Sequence, residues 1–143
     1  MLVAAFFINT LLVTSAVMIH YEILRGLSKL IPRLQVKHRL RVVIGVFGTI
    51  CAHVVEIWLF AVGIYLMLQH GAFGELTGAI NGSLLDCVYF SFTNYTTVGY
   101  GDIVPTGSLR FVAGLEGITG LSLITWSASF MFVEMTRFWE EEN

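Results

Sequence analysis

Thr96-Thr97-Val98-Gly99-Tyr100-Gly101-Asp102 is the stretch of sequence that decides the architecture of this chain. Its two glycines stand two positions apart. In an ordinary strand successive carbonyls alternate in direction, and they can all face one side only if alternate residues adopt conformations open mainly to glycine. The stretch therefore predicts a ladder of carbonyl oxygens, extended by the Thr97 hydroxyl, that can replace the water shell of a dehydrated cation. One strand supplies only one side of such a cage, so we expect four chains around an axis.

The composition predicts that this strand lies in a membrane. Of 143 residues, 56% are hydrophobic and 13% are charged, whereas about a quarter of the residues of a soluble protein are charged. Three apolar stretches approach the length that a membrane-spanning helix needs: Leu2 to Ile19, Val42 to Gln69 and Leu109 to Val133. The sequence shows no metal-ligand cluster, nucleotide-binding loop or pair of nucleophile and base, so we expect neither an enzyme nor a cofactor.

A shorter segment, Leu84 to Tyr95, lies between the second and third apolar stretches. It predicts a helix of about three turns, too short to cross a bilayer. Ser83 and Asp86, three residues apart at its start, predict a capping box. A short helix followed by an extended polar strand is typical of a re-entrant loop, which is tolerated at membrane depth only inside protein or beside water. The partial negative charge at the end of this helix would favour a cation.

A basic segment follows the first apolar stretch. It carries six of the eight lysines and arginines: Arg25, Lys29, Arg33, Lys37, Arg39 and Arg41. Lysine and arginine near a span mark the cytoplasmic side, so we expect a multi-pass cell-membrane protein with its N-terminus outside and its C-terminus cytoplasmic. Because the positive charges follow the first apolar run, that run is predicted to be a retained span and not a secretory signal. The basic side chains are expected to contact anionic lipids; the alternative is a regulatory lipid or nucleotide site.

From Ser83 to about Met135 the chain resembles the pore module of tetrameric potassium channels, of the small prokaryotic ion-channel type. The resemblance is carried by TVGYG between two spans, with a threonine before it and an aspartate after it. It implies that carbonyls of the filter bind K+ and that neighbouring side chains support the filter from behind. The implied filter residues are Thr97, Val98, Gly99, Tyr100 and Gly101, with K+ at the first four. The implied supports are Thr96, Asp102, Tyr89 and Thr93. Some family members have a carboxylate at the position that Thr93 holds here, and Glu116 is a candidate to supply that group from the inner helix instead.

The resemblance also implies where aromatic side chains surround the filter. The ring of Tyr100 is expected to pack against the pore helix, and Tyr89 and Phe90 hold positions that are commonly tryptophan in the family.

An alanine at Gly99 is expected to abolish conduction or assembly, because it adds a methyl group where a glycine conformation is needed. An alanine at Gly74, in the outer loop, is expected to have little effect.

Three glycines interrupt the third apolar stretch: Gly114, Gly117 and Gly120. Glycine in a helix costs about 1 kcal/mol relative to alanine and allows bending or close approach of another backbone. The resemblance implies a gating hinge near Gly120; close packing between helices is the alternative. It also implies that Leu121, Ile124 and Ala128 line an apolar cavity.

Two carboxylates fall inside apolar stretches, where an ionisable group is usually paired, neutralised or facing water. Glu116 is expected either to brace the filter from behind or to make a plain buried hydrogen bond to Thr93, Thr96 or nearby backbone. Glu56 lies three residues after His53, on the same face of a helix, and a local pair is expected there in preference to a proton path.

Together these features predict an all-α membrane protein with three transmembrane helices, a re-entrant pore helix and an extended filter strand, assembling as a homotetramer. The predicted segments are an extra N-terminal transmembrane helix (1–20), a basic cytoplasmic linker or interfacial helix (21–41), a pore domain (42–137) and an acidic C-terminal tail (138–143). Within the pore domain we expect the outer helix at 42–70, pore helix at 84–95, filter at 96–102 and inner helix at 108–137. The predicted function is passive K+ conduction; a weakly selective monovalent cation channel and a non-conducting membrane interaction protein are the alternatives. No nucleic acid partner is expected.

Overall fold

The computed structural model describes residues 2–141, which form four α-helices and two short strands. In chain order these are α1 (Leu2–Leu30), α2 (His38–His70), β1 (Leu76–Gly78), α3 (Leu84–Tyr95), β2 (Ile103–Pro105) and α4 (Leu109–Glu141), with a 3-10 turn at Ile31–Arg33. α1, α2 and α4 are long and apolar enough to cross a membrane. The predicted all-α membrane fold is confirmed. Of the acidic tail, Glu142 and Asn143 lie outside the described residues.

The first helix is longer than the predicted 1–20 span. It continues to Leu30 and so takes up the first half of the segment predicted as a linker or interfacial helix. Nothing between Tyr21 and Leu30 disfavours a helix, and the apolar side chains of Leu24 and Leu27 are buried there. The helix gives way to the 3-10 turn that contains Pro32, because proline lacks the N–H that a helix interior requires.

α1 packs along α2 through leucines that lie over glycines. A methyl group on Gly63 would lie 2.8 Å from Leu12 Cδ1, and one on Gly48 would lie 2.5 Å from Leu27 Cδ2. Small residues allow membrane helices to approach closely and to gain van der Waals contact. The N-terminal helix α1 is therefore seated on α2 at two levels.

The capping box predicted before α3 is confirmed. The Ser83 hydroxyl accepts a hydrogen bond from the Asp86 N–H at 3.1 Å, and the Asp86 carboxylate accepts one from the Ser83 N–H at 3.0 Å. The Asp86 carboxylate also accepts the Asn81 N–H at 2.9 Å. These backbone donors, Ser83 first, hold the pKa of Asp86 below its ordinary value. The short helix thus has a fixed start, which sets where its C-terminal end delivers the following strand.

A two-stranded antiparallel sheet, which the sequence did not predict, joins the segments that precede and follow α3. Its register pairs Leu76 with Pro105 and Gly78 with Ile103. The loop before it packs tightly: a Cβ on Gly74, whose φ is 119°, would lie 2.2 Å from the Thr106 carbonyl oxygen. The expectation that alanine at Gly74 would have little effect is therefore wrong, because both the backbone conformation and the neighbouring backbone exclude a side chain there.

Candidate functional site

The strand that follows α3 has a backbone whose φ alternates in sign. Thr97, Gly99 and Gly101 have φ values of 60°, 50° and 79°, and the residues between them are not at positive φ. The strand leaves the helix through two backbone hydrogen bonds, from the Thr97 N–H to the Asn94 carbonyl and from the Gly99 N–H to the Thr93 carbonyl, both at 2.9 Å. The conformations predicted for the two glycines are present. A one-sided row of carbonyls requires this alternation.

Thr97 was not predicted to adopt positive φ, and it is the only non-glycine residue among those described that does so. A β-branched residue in this region is a genuine outlier. Such a conformation costs about 1–3 kcal/mol and persists only where the surroundings impose it. It extends the alternation of φ from Gly99 back to Thr97, two residues nearer the end of α3.

The whole strand is exposed in the single chain. Every residue from Thr96 to Asp102 is exposed, and the side chain of Tyr100 is 72% exposed. The expected packing of the Tyr100 ring against the pore helix is therefore not found within one chain. Polar, irregular backbone is tolerated at membrane depth only when protein or water surrounds it, and one chain alone does not bury this strand.

One side chain of α3 ties the outer end of the strand in place. The Tyr89 hydroxyl donates a hydrogen bond to Asp102 Oδ2 at 2.8 Å, and this bond raises the pKa of Tyr89. The neighbouring Phe90 is buried in the core. Two of the predicted supports are thus joined directly to each other.

Glu116 is fully buried behind the end of α3, but its partner differs from those expected. Its Oε2 accepts a hydrogen bond from Asn94 Nδ2 at 2.8 Å, and the same amide nitrogen donates to the Ala113 carbonyl at 2.7 Å. The hydroxyls of Thr93 and Thr96 instead donate to carbonyls within α3. Hydrogen bonds from these two threonines to Glu116 were a wrong expectation, because a threonine in a helix can satisfy itself on the preceding turn.

α4 touches the end of the pore helix at Gly120. A Cβ on this residue would lie 2.2 Å from the Tyr95 carbonyl oxygen, whereas one on Gly117 would lie 3.5 Å from the Asn94 carbonyl oxygen and one on Gly114 would meet nothing within 4 Å. Of the two explanations offered for the glycines, close packing has direct support at Gly120. The residues predicted to line a cavity, Leu121, Ile124 and Ala128, are all exposed in the single chain.

The expected local pair of His53 and Glu56 is present, with His53 Nδ1 at 3.3 Å from Glu56 Oε2. It is part of a larger buried group that the sequence did not reveal. His20 Nδ1 lies 2.8 Å from Glu56 Oε1, and the Tyr95 hydroxyl donates to Glu56 Oε2. His20 is 36 residues from Glu56 in the chain, so no local spacing could have indicated this contact.

Comparison with known proteins identifies the family. Residues 40–137 match the family model described as ion channel. The chain belongs to the ion channel family. The resemblance drawn from the filter motif is thereby confirmed, and the matched range covers α2, α3, the filter strand and most of α4. The N-terminal helix α1 lies outside that match.

A curated relative of this ion channel is the inward rectifier potassium channel Kirbac3.1 of Paramagnetospirillum magnetotacticum. The two sequences are 31% identical over 83 residues, which is 52% of this chain and 28% of the relative. The chain therefore spans less than a third of that protein's length. No solved structure matches the chain significantly.

Proposed function

We propose that four copies of this chain form a potassium-selective channel that conducts passively. The observation that carries the proposal is the alternation of positive φ at Thr97, Gly99 and Gly101 in a strand that one chain leaves exposed. Carbonyls of Thr97, Val98, Gly99 and Tyr100 would coordinate dehydrated K+, as rings of backbone carbonyls do in potassium filters. The potassium channel named among the relatives supports this choice of ion.

The same geometry supports a homotetramer. A ring of four carbonyls around an ion needs four strands, and each chain supplies one. The exposed Tyr100 ring would then face a neighbouring chain. Further inside, a central cavity would be lined by the exposed side chains of Leu121, Ile124 and Ala128. Crosslinking of the detergent-purified protein should yield a ladder that ends at four chains. A conducting monomer or dimer would refute the assembly.

The decisive experiment is reconstitution of the purified full chain in liposomes with K+ on one side and Na+ on the other. A potassium-selective pore should give a reversal potential close to the K+ equilibrium potential. A potential near zero with measurable current would indicate the weakly selective cation channel instead. The absence of any current, with the tetramer intact, would favour a non-conducting membrane interaction protein.

The proposed orientation has the basic segment inside. Arg25, Lys29, Arg33, Lys37 and Arg39 are exposed at the α1–α2 end of the molecule, and Arg41 is half-buried at the start of α2. We propose that this end contacts anionic lipids of the cytoplasmic leaflet, since each basic residue near such a surface contributes about 1 kcal/mol. Labelling of single cysteines from either side of the membrane tests this: a cysteine at Ser28 should be reached only from the cytoplasmic side, and one at Thr77 only from outside.

Tyr89→Phe should shorten the time that the filter stays conducting without preventing assembly. The change removes only the hydroxyl that donates to Asp102 at 2.8 Å. Because the bond raises the pKa of Tyr89, its contribution is present below the ordinary tyrosine pKa of 10.0 and is lost only as pH rises through the raised value. The difference between parent and variant should thus be constant across neutral pH in single-channel records. Tyr65→Phe, on α2, is the control and should behave as the parent.

Glu116→Gln should keep the fold but change the open probability of the channel, and Glu116→Ala should have a larger effect. Glutamine preserves size and an acceptor for Asn94, whereas alanine leaves the half-buried Asn94 amide without that acceptor. An unsatisfied buried group costs about 1–3 kcal/mol, enough to shift a two-state filter about ten-fold. Single-channel recording at two pH values measures the effect, with Glu75→Gln in the exposed loop as control. Parent-like behaviour of both Glu116 variants would reduce this carboxylate to a packing role.

A further inference from the structure

A compact polar cluster is buried where α1, α2 and the last residue of α3 meet. Glu56 is at its centre and is fully buried, as is His20. The two carboxylate oxygens of Glu56 have different partners. Oε1 lies 2.8 Å from His20 Nδ1. Oε2 lies 3.3 Å from His53 Nδ1 and accepts a hydrogen bond from the Tyr95 hydroxyl. Tyr95 is the residue that directly precedes the filter motif. Three separate segments of the chain therefore converge on one carboxylate.

The donor atoms of this cluster match the needs of a transition metal. The ligand atoms of His20, His53 and Glu56 all lie within 4.8 Å of one another. Two imidazoles and one carboxylate form a common ligand set of Zn²⁺, with metal–ligand bonds of about 2.0–2.2 Å. Such bonds place neighbouring ligand atoms about 3.3 Å apart in a tetrahedron. His53 Nδ1 lies 3.3 Å from Glu56 Oε2, which matches that spacing, and His20 Nδ1 lies closer, 2.8 Å from Glu56 Oε1. Both histidines present the same nitrogen, Nδ1, to the common centre.

The charge of the cluster also favours a cation. Glu56 is a carboxylate inside an apolar, membrane-length helix, where an uncompensated charge is costly. The ion pairs that the structure gives Glu56 are with His20 and His53, and these carry charge only when protonated. A divalent cation would compensate the carboxylate while both imidazoles stay neutral, which is the protonation state in which they bind metal.

The distal nitrogen of His20 has a polar neighbour. The Ser127 hydroxyl on α4 lies 3.4 Å from His20 Nε2. A hydrogen bond donated by the Nε2–H to this hydroxyl would fix the tautomer in which Nδ1 is free to bind a metal. The Trp126 ring packs against the His20 ring, with centroids 5.3 Å apart, and covers the cluster on that side. A shell of this kind limits access of water to the site.

We propose that His20, His53 and Glu56 bind a divalent transition-metal ion of the zinc type, with the Tyr95 hydroxyl beside it as a fourth ligand or a hydrogen-bond donor. The site would join α1, which lies outside the family match, to the residue that delivers the filter strand. Its role would be to position the end of the pore helix, and the bound metal would make that position depend on α1.

The test is metal binding by the purified full-length protein after treatment with a chelator. Co²⁺ serves as the spectroscopic probe, because its visible absorption reports coordination by nitrogen and oxygen, and Zn²⁺ is then added in competition. We expect saturation at one ion per chain. His20→Gln and Glu56→Gln should each weaken binding by more than about 100-fold, and Ser127→Ala should weaken it by about 10-fold. His70→Gln, at the exposed end of α2, is the matched control and should bind as the parent does.

Two outcomes would overturn the proposal: no saturable binding by the parent, or equal affinity in the parent, His20→Gln and Glu56→Gln. The cluster would then be a hydrogen-bonded network only. If Glu56→Gln fails to assemble, the Co²⁺ affinity of His20→Gln, a variant in α1, tests the proposal instead. If neither variant assembles, the proposal is tested on the parent alone, by its Co²⁺ stoichiometry and its Co²⁺ spectrum. None of these readouts requires conduction, so failure of the metal site is distinguishable from failure of the proposed channel function.

Discussion

Gly99→Ala should abolish potassium-selective conduction. The φ of Gly99 is 50°, a region in which a Cβ costs about 1–2 kcal/mol for each residue. Four chains would carry the cost together, about 4–8 kcal/mol in the assembled pore, which is comparable with the whole stability of a typical domain. In the single chain a methyl group at this position meets no atom within 4 Å. We therefore expect the alanine to disturb the backbone conformation, not the packing within one chain. The alternation of φ along the strand and the contacts between chains should be lost.

The measurement is the reversal potential of reconstituted protein under opposed K+ and Na+ gradients, together with the state of assembly. The control is Gly26→Ala, because Gly26 is an exposed residue inside α1 where an added methyl group also meets nothing within 4 Å. Gly74 cannot serve as the control, since its φ of 119° and the carbonyl of Thr106 both exclude alanine. Parent-like selectivity in Gly99→Ala would show that the strand does not select ions through its backbone.

Gly120→Ala should prevent α4 from seating against the pore helix. Within a helix alanine is favoured over glycine by about 1 kcal/mol, so the change would stabilise α4 if nothing opposed it. The new methyl carbon, however, would lie 2.2 Å from the Tyr95 carbonyl oxygen, and a backbone atom cannot move aside as a flexible side chain can. Overpacking of this kind costs about 1–3 kcal/mol for each chain, so the clash outweighs the gain in helix propensity.

We expect Gly120→Ala to lose the tetramer, or to retain it with strongly reduced K+ flux, as measured by size-exclusion chromatography and liposome flux. The matched control is Gly117→Ala, one turn earlier on the same face of α4. There the added carbon would lie 3.5 Å from the Asn94 carbonyl oxygen, an ordinary contact. If Gly120→Ala assembles and conducts like Gly117→Ala, the glycine is needed neither for close packing nor as a hinge.

The sequence by itself determined the features that depend on local chemistry. Ser83 and Asp86 form the predicted capping box because both partners lie within one turn of each other. Gly99 and Gly101 take the predicted positive φ because steric exclusion by a Cβ acts within one residue. The membrane-length helices follow from long, mostly apolar runs. In each case the information lies within a few residues of the feature it specifies.

Only the tertiary structure decided the features that join distant segments. Asn94 replaces the expected threonines as the partner of Glu116, because helix packing brings its amide and not their hydroxyls to the carboxylate. His20 meets Glu56 because Leu12 and Leu27 seat α1 on the glycines of α2. The restriction at Gly74 arises from the backbone of Thr106, 32 residues further along the chain. Contacts of this kind depend on how close two backbones come, and no spacing within one segment of the sequence specifies that distance.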